Sequence, residues 1–395
     1  MLEQYRDWVF DQAVPTWQRI GFDPARAMFH ERLDMAGRPL PVPHRAMVQA
    51  RQIYVFAHAA ELGLNPAGLD HARAAMETLR TRFGRESEDG LSFIYSLDPD
   101  SGAVVSDARD SYAHAFVLFA CAYLYRASGD TALLAMADEV ARFVETRMVD
   151  PAAGGVVDTL PPVSAADPKR QNPQMHLLEA YLALEQAAPG RGHGKRAMAL
   201  VDLFQDKLLD PARGVLLEHF AADWGAHPDA ARGSFFEPGH HYEWIWLLEQ
   251  AELLSGRDLS QARRALFATA ARHGHAGARH ILDEVGVDGT ARTPSHRLWP
   301  HTEAIKAAAT MRRAGQPGAR ELADTMAGVL LDTFVGRPFA GGWIDHVSPN
   351  FEPRVDYVPA SSLYHLFLAA AAGAQPAAGA DAGDKAELDL APSDT

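Results

Sequence analysis

The feature that most constrains the fold is a conspicuous polar residue that returns about every 63 positions along a mostly helical chain. Hydrophobic periodicity predicts twelve helices, near residues 2–20, 43–63, 66–83, 107–128, 130–148, 170–188, 193–208, 239–256, 258–274, 297–314, 317–334 and 357–373. The recurring residues are Arg51, His114, His176, His240, Glu303 and His365. Their successive separations are 63, 62, 64, 63 and 62 residues. A repeat of this length is typical of an array of helical hairpins.

Six hairpins that return to their start predict an all-α (α/α)6 toroid, with short β-hairpins in the connecting loops. The helices of a pair are joined by tight linkers rich in Gly, Pro and Asp, such as 128–130 and 255–258. Short strand signals lie at 91–97, 214–220 and 341–347. We expect one domain over residues 1–373. Residues 374–395, rich in Ala, Gly, Asp and Pro, are predicted to be a disordered tail.

The composition argues against several classes of partner. The formal net charge is −14 and Lys and Arg are scattered, so we expect neither nucleic acid nor a membrane surface to bind. No apolar run approaches the ~20 residues of a membrane span. The single cysteine, Cys121, lies in an apolar run and is predicted to be a buried thiol. We expect a cytoplasmic protein, monomeric or homodimeric, that uses no cofactor.

Polar pairs lie on one face of several predicted inner helices. Three helices carry a His or Trp one turn before a Glu, and the pairs are His176–Glu179, His240–Glu243 and Trp299–Glu303. "QNP" at 171–173 and "EPG" at 237–239 resemble helix starts, where a Pro in the first turn is tolerated. These pairs are therefore predicted to lie near the mouth of a central pocket.

Three kinds of chemistry fit these residues. Three histidines from three helices can hold a metal, although the Glu-x-x-His order of di-iron bundles and the H-E-x-x-H order of zinc sites are absent. Paired glutamates can hydrolyse a glycosidic bond. Histidine, with a pKa near neutrality, is suited to move a proton at a carbon next to a carbonyl.

Proton transfer accounts for every member of the set. His240 and His365 can face opposite sides of one bound sugar, with Glu243 orienting the imidazole of His240. Arg51 can stabilise the enediolate charge. A metal site and glycoside hydrolysis stay open as alternatives at this point.

The motifs "RQIYVFAHA", "NPQMHLLEA", "EPGHHYEW", "LWPHTEAIKA", "GGWIDH" and "SSLYHL" resemble the N-acylglucosamine 2-epimerase superfamily, over residues 2 to 373. This superfamily includes mannose isomerases, a sulfoquinovose-type isomerase and cellobiose 2-epimerases. The resemblance implies that His240 and His365 form the acid–base pair and that His176 assists ring opening or proton transfer.

The residues expected to contact the sugar, from the resemblance or from their place near the mouth, are Arg51, Tyr112, His114, Asn172, Glu179, Glu243, Trp299, Glu303 and Trp343. The substrate is then a small-molecule monosaccharide. We expect metal-independent interconversion of D-mannose and D-fructose through a cis-enediolate. The motifs leave a sugar 2-epimerase open, acting on D-mannose and D-glucose or on an N-acylglucosamine. An (α/α)6 glycoside hydrolase and a non-catalytic sugar-binding toroid are alternatives of another class. A phosphorylated sugar is disfavoured, because no Gly-rich phosphate loop or basic cluster is visible.

Overall fold

The computed structural model describes residues 1–161, 168–277 and 279–372, so the predicted tail at 374–395 lies outside the described residues. The α-helices in these ranges are, in chain order, α1 (Leu2–Asp7), α2 (Val14–Ile20), α3 (Ala46–Glu61), α4 (Gly68–Thr78), α5 (Ser111–Ser128), α6 (Ala132–Phe143), α7 (Gln171–Ala187), α8 (His193–Leu203), α9 (Pro238–Ser255), α10 (Ser260–His273), α11 (Trp299–Arg313), α12 (Ala319–Val329) and α13 (Leu363–Ala372). Short π-helical segments join or extend outer helices at Trp8–Ala13, Leu79–Phe83, Val144–Met148, Phe204–Leu208 and Leu330–Phe334. Single 3₁₀ turns occur at Arg232–Ser234 and Ala360–Ser362.

Six helices form a closed inner ring, which confirms the predicted (α/α)6 toroid. Helices α3, α5, α7, α9, α11 and α13 each pack against the next, and α13 packs against α3. The helix that follows each of the first five inner helices packs outside it, and α1 with residues 8–13 covers α13. The sixth hairpin is therefore built from two segments that are far apart in sequence. None of the described helices has both the length and the apolar character needed to cross a membrane.

Short strands form a second ring at the end of the toroid where the inner helices begin. The strand that leads into an inner helix pairs, antiparallel, with a strand in the loop that comes just before the next inner helix of the ring. These pairs are His44–Arg45 with Ser96–Leu97, Arg109–Asp110 with Thr159–Leu160, Lys169–Arg170 with His219–Phe220, Phe235–Phe236 with Glu284–Gly286, His296–Arg297 with His346–Val347, and Tyr357–Pro359 with Arg32–Asp34. The last pair closes this ring as well. It also explains why α13 begins at Leu363 rather than near the predicted 357.

Other short strands extend this ring or form local hairpins behind it. Val104–Ser106 and Ala291–Thr293 each add a third strand to one of the pairs above. The local hairpins pair Phe22–Asp23 with Met28–Phe29, Gly84–Ser87 with Gly90–Phe93, Leu209–Asp210 with Val215–Leu216, and His275–Ala276 with His280–Ile281. Strands within 91–97 and 214–220 confirm two of the predicted strand signals. In the third, 341–347, only His346–Val347 is a strand.

One side chain near the start of each of five inner helices bonds to the backbone of a neighbouring hairpin. We call Gln49, His114, Gln174, His241 and His301 the anchor residues. Each accepts the N–H of a hairpin residue, over 2.8 to 3.2 Å. Gln49 and Gln174 also donate to the carbonyl of the same hairpin residue, whereas His114 and His301 use Nδ1 on a carbonyl four residues earlier in the chain. The anchors therefore fix the loops over the helix ends.

The anchors also define a common register for the inner helices. Two residues on from an anchor is about 200° around a helix, so this position faces the opposite side, toward the axis. The positions are Arg51, Phe116, His176, Glu243 and Glu303. The sequence repeat therefore gave the correct period but mixed registers, since Arg51, His176 and Glu303 are axial whereas His240 lies one residue before an anchor. His114 is an anchor, and Phe116 takes the axial position on α5.

Candidate active site

The first turns of the inner helices surround a cavity of about 260 Å³. The side chains that line it are Arg51, Tyr112, Asn172, His176, Glu237, His240, Glu243, Arg297, Trp299, Asp345, Ser361, Ser362 and His365. Eight of them were predicted from the sequence. A larger cavity of about 770 Å³ is lined by α7, by α8 and by the chain between residues 144 and 156, and contains none of the predicted residues. We therefore identify the smaller cavity, which the three predicted catalytic histidines line, as the candidate active site.

His240 lies in the first turn of α9 and is backed by a buried carboxylate. Its Nδ1 is 2.8 Å from Oε2 of Glu218, which also accepts a hydrogen bond from Gln171. Burial disfavours the imidazolium, but Glu218 and Glu237 outweigh burial and raise the pKa of His240 to about 9. The ring is therefore protonated at neutral pH, with Nε2–H available to the cavity.

His365 lies in the first turn of α13 and is backed by a different carboxylate. Its Nδ1 is 2.8 Å from Oε1 of Glu303. Burial and the nearby cations of Arg51 and Lys306 hold the pKa of His365 well below its ordinary value. The neutral ring then donates its Nδ1–H to Glu303 and keeps an unprotonated Nε2 at the cavity.

The indole of Trp299 lies against both imidazoles. The ring centroid of Trp299 is 4.8 Å from that of His240 and 5.6 Å from that of His365. The position of the indole also explains the glycine between Pro238 and His240. A Cβ on Gly239 would lie 2.5 Å from two carbons of Trp299, so only glycine lets the two helix starts approach this closely.

His176 and Glu243 form the floor of the cavity. Nδ1 of His176 is 2.9 Å from Oε2 of Glu179, and its Nε2 is 3.9 Å from Glu243. Burial lowers the pKa of His176 to about 4. Burial and the neighbouring Glu303 raise the pKa of Glu243 well above its ordinary value, and its carboxyl oxygens have no hydrogen-bond partner within the described ranges. Glu243 therefore favours the protonated form and is free to bond a ligand.

The wall beside His176 carries the cation of Arg51 and the amide oxygen of Asn172. Arg51 donates to the hydroxyl of Tyr112 and to the carbonyl of Ser361, the latter over 3.1 Å. Its guanidinium also lies 4.1 Å from the ring centroid of Phe116. Oδ1 of Asn172 is buried with no partner among the described atoms. This wall offers donors and an acceptor to the oxygens of a bound molecule.

Four predicted contact residues do not line the cavity. Both ring nitrogens of His114 are occupied by backbone groups, so it is an anchor rather than a ligand. Trp343 is fully buried and stacks on Trp17 with a centroid distance of 5.0 Å. Glu179 and Glu303 lie behind His176 and His365 and orient them. The predicted partner of His240 is also corrected, because Glu218 rather than Glu243 makes the hydrogen bond.

Sequence reasoning missed several groups around the cavity. Glu218 comes from a loop 22 residues before His240, a separation that no helical spacing reveals. Burial raises the pKa of Glu237 to about 7 and raises that of Asp345. Arg297 lies 3.7 Å from Glu237. A signal did exist for Lys306, which follows Glu303 at i+3 in "TEAIK" and therefore shares its helix face.

Among the residues that the structure describes, three groups of side chains have the composition of metal ligands. They are His176–Glu179–Glu243, Glu218–Glu237–His240 and Glu243–Glu303–His365, and within each group the ligand atoms lie within 4.8 Å of one another. Each group contains a histidine–carboxylate hydrogen bond. A cation bound by all three members would have to displace that bond.

Comparison with known proteins points to enzymes that act on sugars. The chain is 31% identical over 374 residues to mannose-6-phosphate isomerase of Rhizobium meliloti (strain 1021), covering 92% of this chain and 94% of that protein. It is 29% identical over 345 residues to D-mannose isomerase of Thermobifida fusca, covering 81% and 82% of the two chains. The structure of cellobiose 2-epimerase from Spirochaeta thermophila DSM 6192 superposes with a TM-score of 0.82 and 26% identity, covering 94% and 95%.

The fold, the relatives and the cavity define an isomerase-type enzyme of the (α/α)6 toroid class that acts on sugars. The model of the N-acylglucosamine 2-epimerase (GlcNAc 2-epimerase) family matches residues 28–369. The chain belongs to this family, as its motifs predicted.

Proposed function

We propose that the protein interconverts D-mannose and D-fructose by proton transfer between histidine and carbon, without a metal ion. One observation carries the proposal: two imidazoles face one cavity, each held by a buried carboxylate at Nδ1, and their pKa values are shifted in opposite directions. Titratable groups whose environments separate their pKa values are the usual basis for assigning an acid and a base.

His365 is the base in this mechanism. Its neutral Nε2 takes the proton from C2 of the open-chain aldose, and negative charge moves onto the oxygen at C1. The guanidinium of Arg51 stabilises that enediolate oxygen. His240 donates a proton to the oxygen at C1 and takes the proton of the hydroxyl at C2, and return of the proton from His365 to C1 then gives the ketose. A single base acting at carbon on one face of the sugar is therefore sufficient.

His240 is the acid. Its Nε2–H donates to a substrate oxygen during ring opening and enediolate formation, and Glu218 keeps the imidazolium charged. The protonated carboxyl of Glu243 and the neutral ring of His176 bond further hydroxyls at the cavity floor. The cavity volume of about 260 Å³ suits a monosaccharide, since drug-sized ligands usually occupy about 300–1,000 Å³.

The same residues support a second outcome, epimerisation at C2. If the imidazolium of His240 returns a proton to C2 from the other face, the product is D-glucose rather than D-fructose. The names of the relatives include both isomerases and a 2-epimerase. Paired-carboxylate hydrolysis is disfavoured, because Glu179 and Glu303 are each bound to a histidine.

A phosphorylated hexose is a second candidate substrate, favoured by the name of the relative from Rhizobium meliloti. A space of about 360 Å³ adjoins the cavity, sharing Asp345 and Ser361 with it, and contains Arg32 and Arg45. The guanidinium groups of Arg32 and Arg45 can bind a phosphate there, although Arg45 also donates to Glu31.

The test is proton exchange in D2O, followed by NMR on protein treated with a chelator. Mannose, glucose, fructose, N-acetylglucosamine and mannose 6-phosphate are supplied separately. We expect mannose to give fructose with deuterium incorporated next to the carbonyl. Formation of glucose alone would assign the epimerase, and faster turnover of mannose 6-phosphate than of mannose would assign the phosphorylated substrate.

Single variants test the assignment of the two histidines. His365→Asn and His240→Asn should each reduce exchange by at least about 100-fold, while the thermal unfolding midpoint stays close to that of the wild type. His114→Gln is the matched control, because His114 lies outside the cavity and Gln serves as an anchor in two other repeats. Undiminished exchange in His365→Asn would contradict the mechanism.

A further inference from the structure

A lysine is buried behind the cavity without lining it. Lys306 on α11 is fully buried, and its Nζ lies 2.5 Å from Oε2 of Glu303 and 4.7 Å from the ring centroid of Trp246. Burial of an ammonium group costs several kcal/mol unless close charges compensate. The carboxylate of Glu303 therefore supplies the charge that offsets the cost of burying Lys306.

Glu303 joins this lysine to His365. One carboxylate oxygen accepts Nδ1–H of His365 at 2.8 Å, and the other faces Lys306. The three side chains form a continuous chain of contacts, Lys306–Glu303–His365. The lysine therefore contacts the imidazole only through the carboxylate between them, although its charge also lowers the pKa of His365 directly.

The charge balance around Glu303 depends on this lysine. The titratable and charged side chains that interact with Glu303, Lys306 or His365 come from the other inner helices and from α1, and are Tyr5, Arg51, His176, Glu179, His240, Glu243 and Tyr364. Burial raises the pKa of Glu303, and the cation of Lys306 opposes that rise. Loss of the cation would leave Glu303 beside two other buried carboxyl groups and favour its protonation.

The protonation state of Glu303 decides which nitrogen of His365 is the base. An ionised carboxylate only accepts hydrogen bonds, so it requires the proton of neutral His365 to sit on Nδ1 and leaves Nε2 free. A protonated carboxyl donates to Nδ1 instead, which moves the ring proton to Nε2. In that tautomer the nitrogen at the cavity cannot take a proton from carbon.

We propose that Lys306 is a positioning residue, which keeps Glu303 ionised and so fixes His365 in the tautomer with an unprotonated Nε2 at the cavity. This inference rests on the proposed function, in which His365 is the base. Lys306 does not touch the sugar, so its effect belongs to the chemical step rather than to binding.

The central experiment replaces Lys306 by Met, which keeps the length of the side chain and removes its charge. We expect kcat to fall by about 100-fold, at the lower end of what a general base contributes, with KM nearly unchanged. The acidic limb of the kcat profile should move to higher pH, because the pKa values of both Glu303 and His365 rise when the cation that lowers them is removed. Lys306→Arg, which restores a cation, should recover most of kcat and the original profile.

Lys169→Met is the matched control. Lys169 is also buried, forms an ion pair of 2.6 Å with Asp150 and lies 4.9 Å from the ring centroid of Trp224, outside the cavity. Its loss should lower the thermal unfolding midpoint without moving the pH profile. An equal shift of the profile in both variants would overturn the proposal.

A spectroscopic measurement separates this inference from the proposed function. In protein labelled with ¹⁵N-histidine, with His365 assigned from His365→Asn, the wild type should show the proton on Nδ1 and Lys306→Met should show it on Nε2. Glu303→Gln tests the same point if Lys306→Met does not fold, and the double variant should lose no more activity than Glu303→Gln alone. An unchanged tautomer in folded Lys306→Met would overturn the inference, whereas absence of exchange with every sugar in the wild type would overturn only the proposed function.

Discussion

His240 and His365 lie against the same indole, yet the groups behind them give the two rings opposite charge states. Two carboxylates, Glu218 and Glu237, surround His240, whereas His365 faces the cations of Arg51 and Lys306. The sequence shows two similar histidines in two similar helix starts. The different protonation states of the two histidines are set by side chains from other segments of the chain.

This difference predicts the pH dependence of catalysis. An acid with a pKa of about 9 is protonated below that pH, so kcat/KM should fall as pH rises through about 9. The base has a lowered pKa, so it stays neutral through the neutral range and adds no acidic limb near 6.5. Glu218→Gln removes the main carboxylate that raises the pKa of His240, so the alkaline limb should move to lower pH.

The measurement is kcat/KM for the sugar from about pH 5 to about pH 10, with the pH-independent range located first. His219→Gln is a suitable control, because His219 neighbours Glu218 in the chain but does not line the cavity. An alkaline limb that stays in place in Glu218→Gln would contradict the assignment of His240 as the acid.

Much of the candidate site was predictable because helix starts carry recognisable polar spacings. His176, His240 and His365 all lie at the cavity, as do Arg51 and Trp299. The errors have a common physical cause. Spacing along one helix cannot reveal a hydrogen-bond partner that comes from a loop, such as Glu218. It also cannot show that both ring nitrogens of a histidine such as His114 are hydrogen-bonded to backbone groups.

At the scale of the element, each anchor residue connects an inner helix to a loop. Replacement of His114 by Leu removes the acceptor for the N–H of Phe93, a buried donor. We expect a loss of about 1–3 kcal/mol in the free energy of unfolding. His114→Gln should lose less, since Gln49 and Gln174 make the equivalent bond. Chemical denaturation of the two variants measures this difference, and equal losses would show that the bond to Phe93 contributes nothing.

The start of α9 gives a second prediction at this scale. Gly239→Ala places a methyl group against Trp299, so the indole has to move away from both histidines. A displacement of about 1 Å at a reacting site can reduce the rate by about 100-fold, and we expect a loss of kcat/KM of that order.

Gly256→Ala provides the comparison for this variant. Gly256 ends the same helix with φ of +71°, and nothing lies within 4 Å of its would-be Cβ. It should cost about 1 kcal/mol in stability and leave kcat/KM unchanged. Equal activity of the two variants would mean that the position of Trp299 is unimportant.

At the scale of the whole molecule, hydrophobic periodicity predicted the twelve helical positions correctly, and the period of about 63 residues predicted the toroid. When the π-helical extensions are counted with the helices they continue, the helix ends lie within four residues of the prediction, and the start of α13 is the exception. Its predicted start contains Tyr357–Pro359, which pairs with Arg32–Asp34. A contact between such distant segments leaves no local sequence signal, so the closing strand was not foreseen.

Ring closure makes the outer cover of α13 important for activity. Tyr5 is buried and its hydroxyl donates to the carbonyl of Leu366 at 2.7 Å, one residue from His365. Removal of residues 1–20 exposes the apolar back of α13, and we expect loss of both cooperative unfolding and deuterium exchange. Tyr5→Phe removes one hydrogen bond and should cost only about 1 kcal/mol. A shortened chain that keeps wild-type activity and unfolding midpoint would show that this cover is dispensable.

The two joins that close the toroid, α13 against α3 and Tyr357–Pro359 against Arg32–Asp34, both link early residues to late ones. Contacts of such long range form slowly and only after the intervening chain is available. On the ribosome, the first hairpins therefore emerge as an open arc with an uncovered flank. The imidazole on the last helix reaches its place only when synthesis is nearly finished, so a nascent chain cannot turn over sugar.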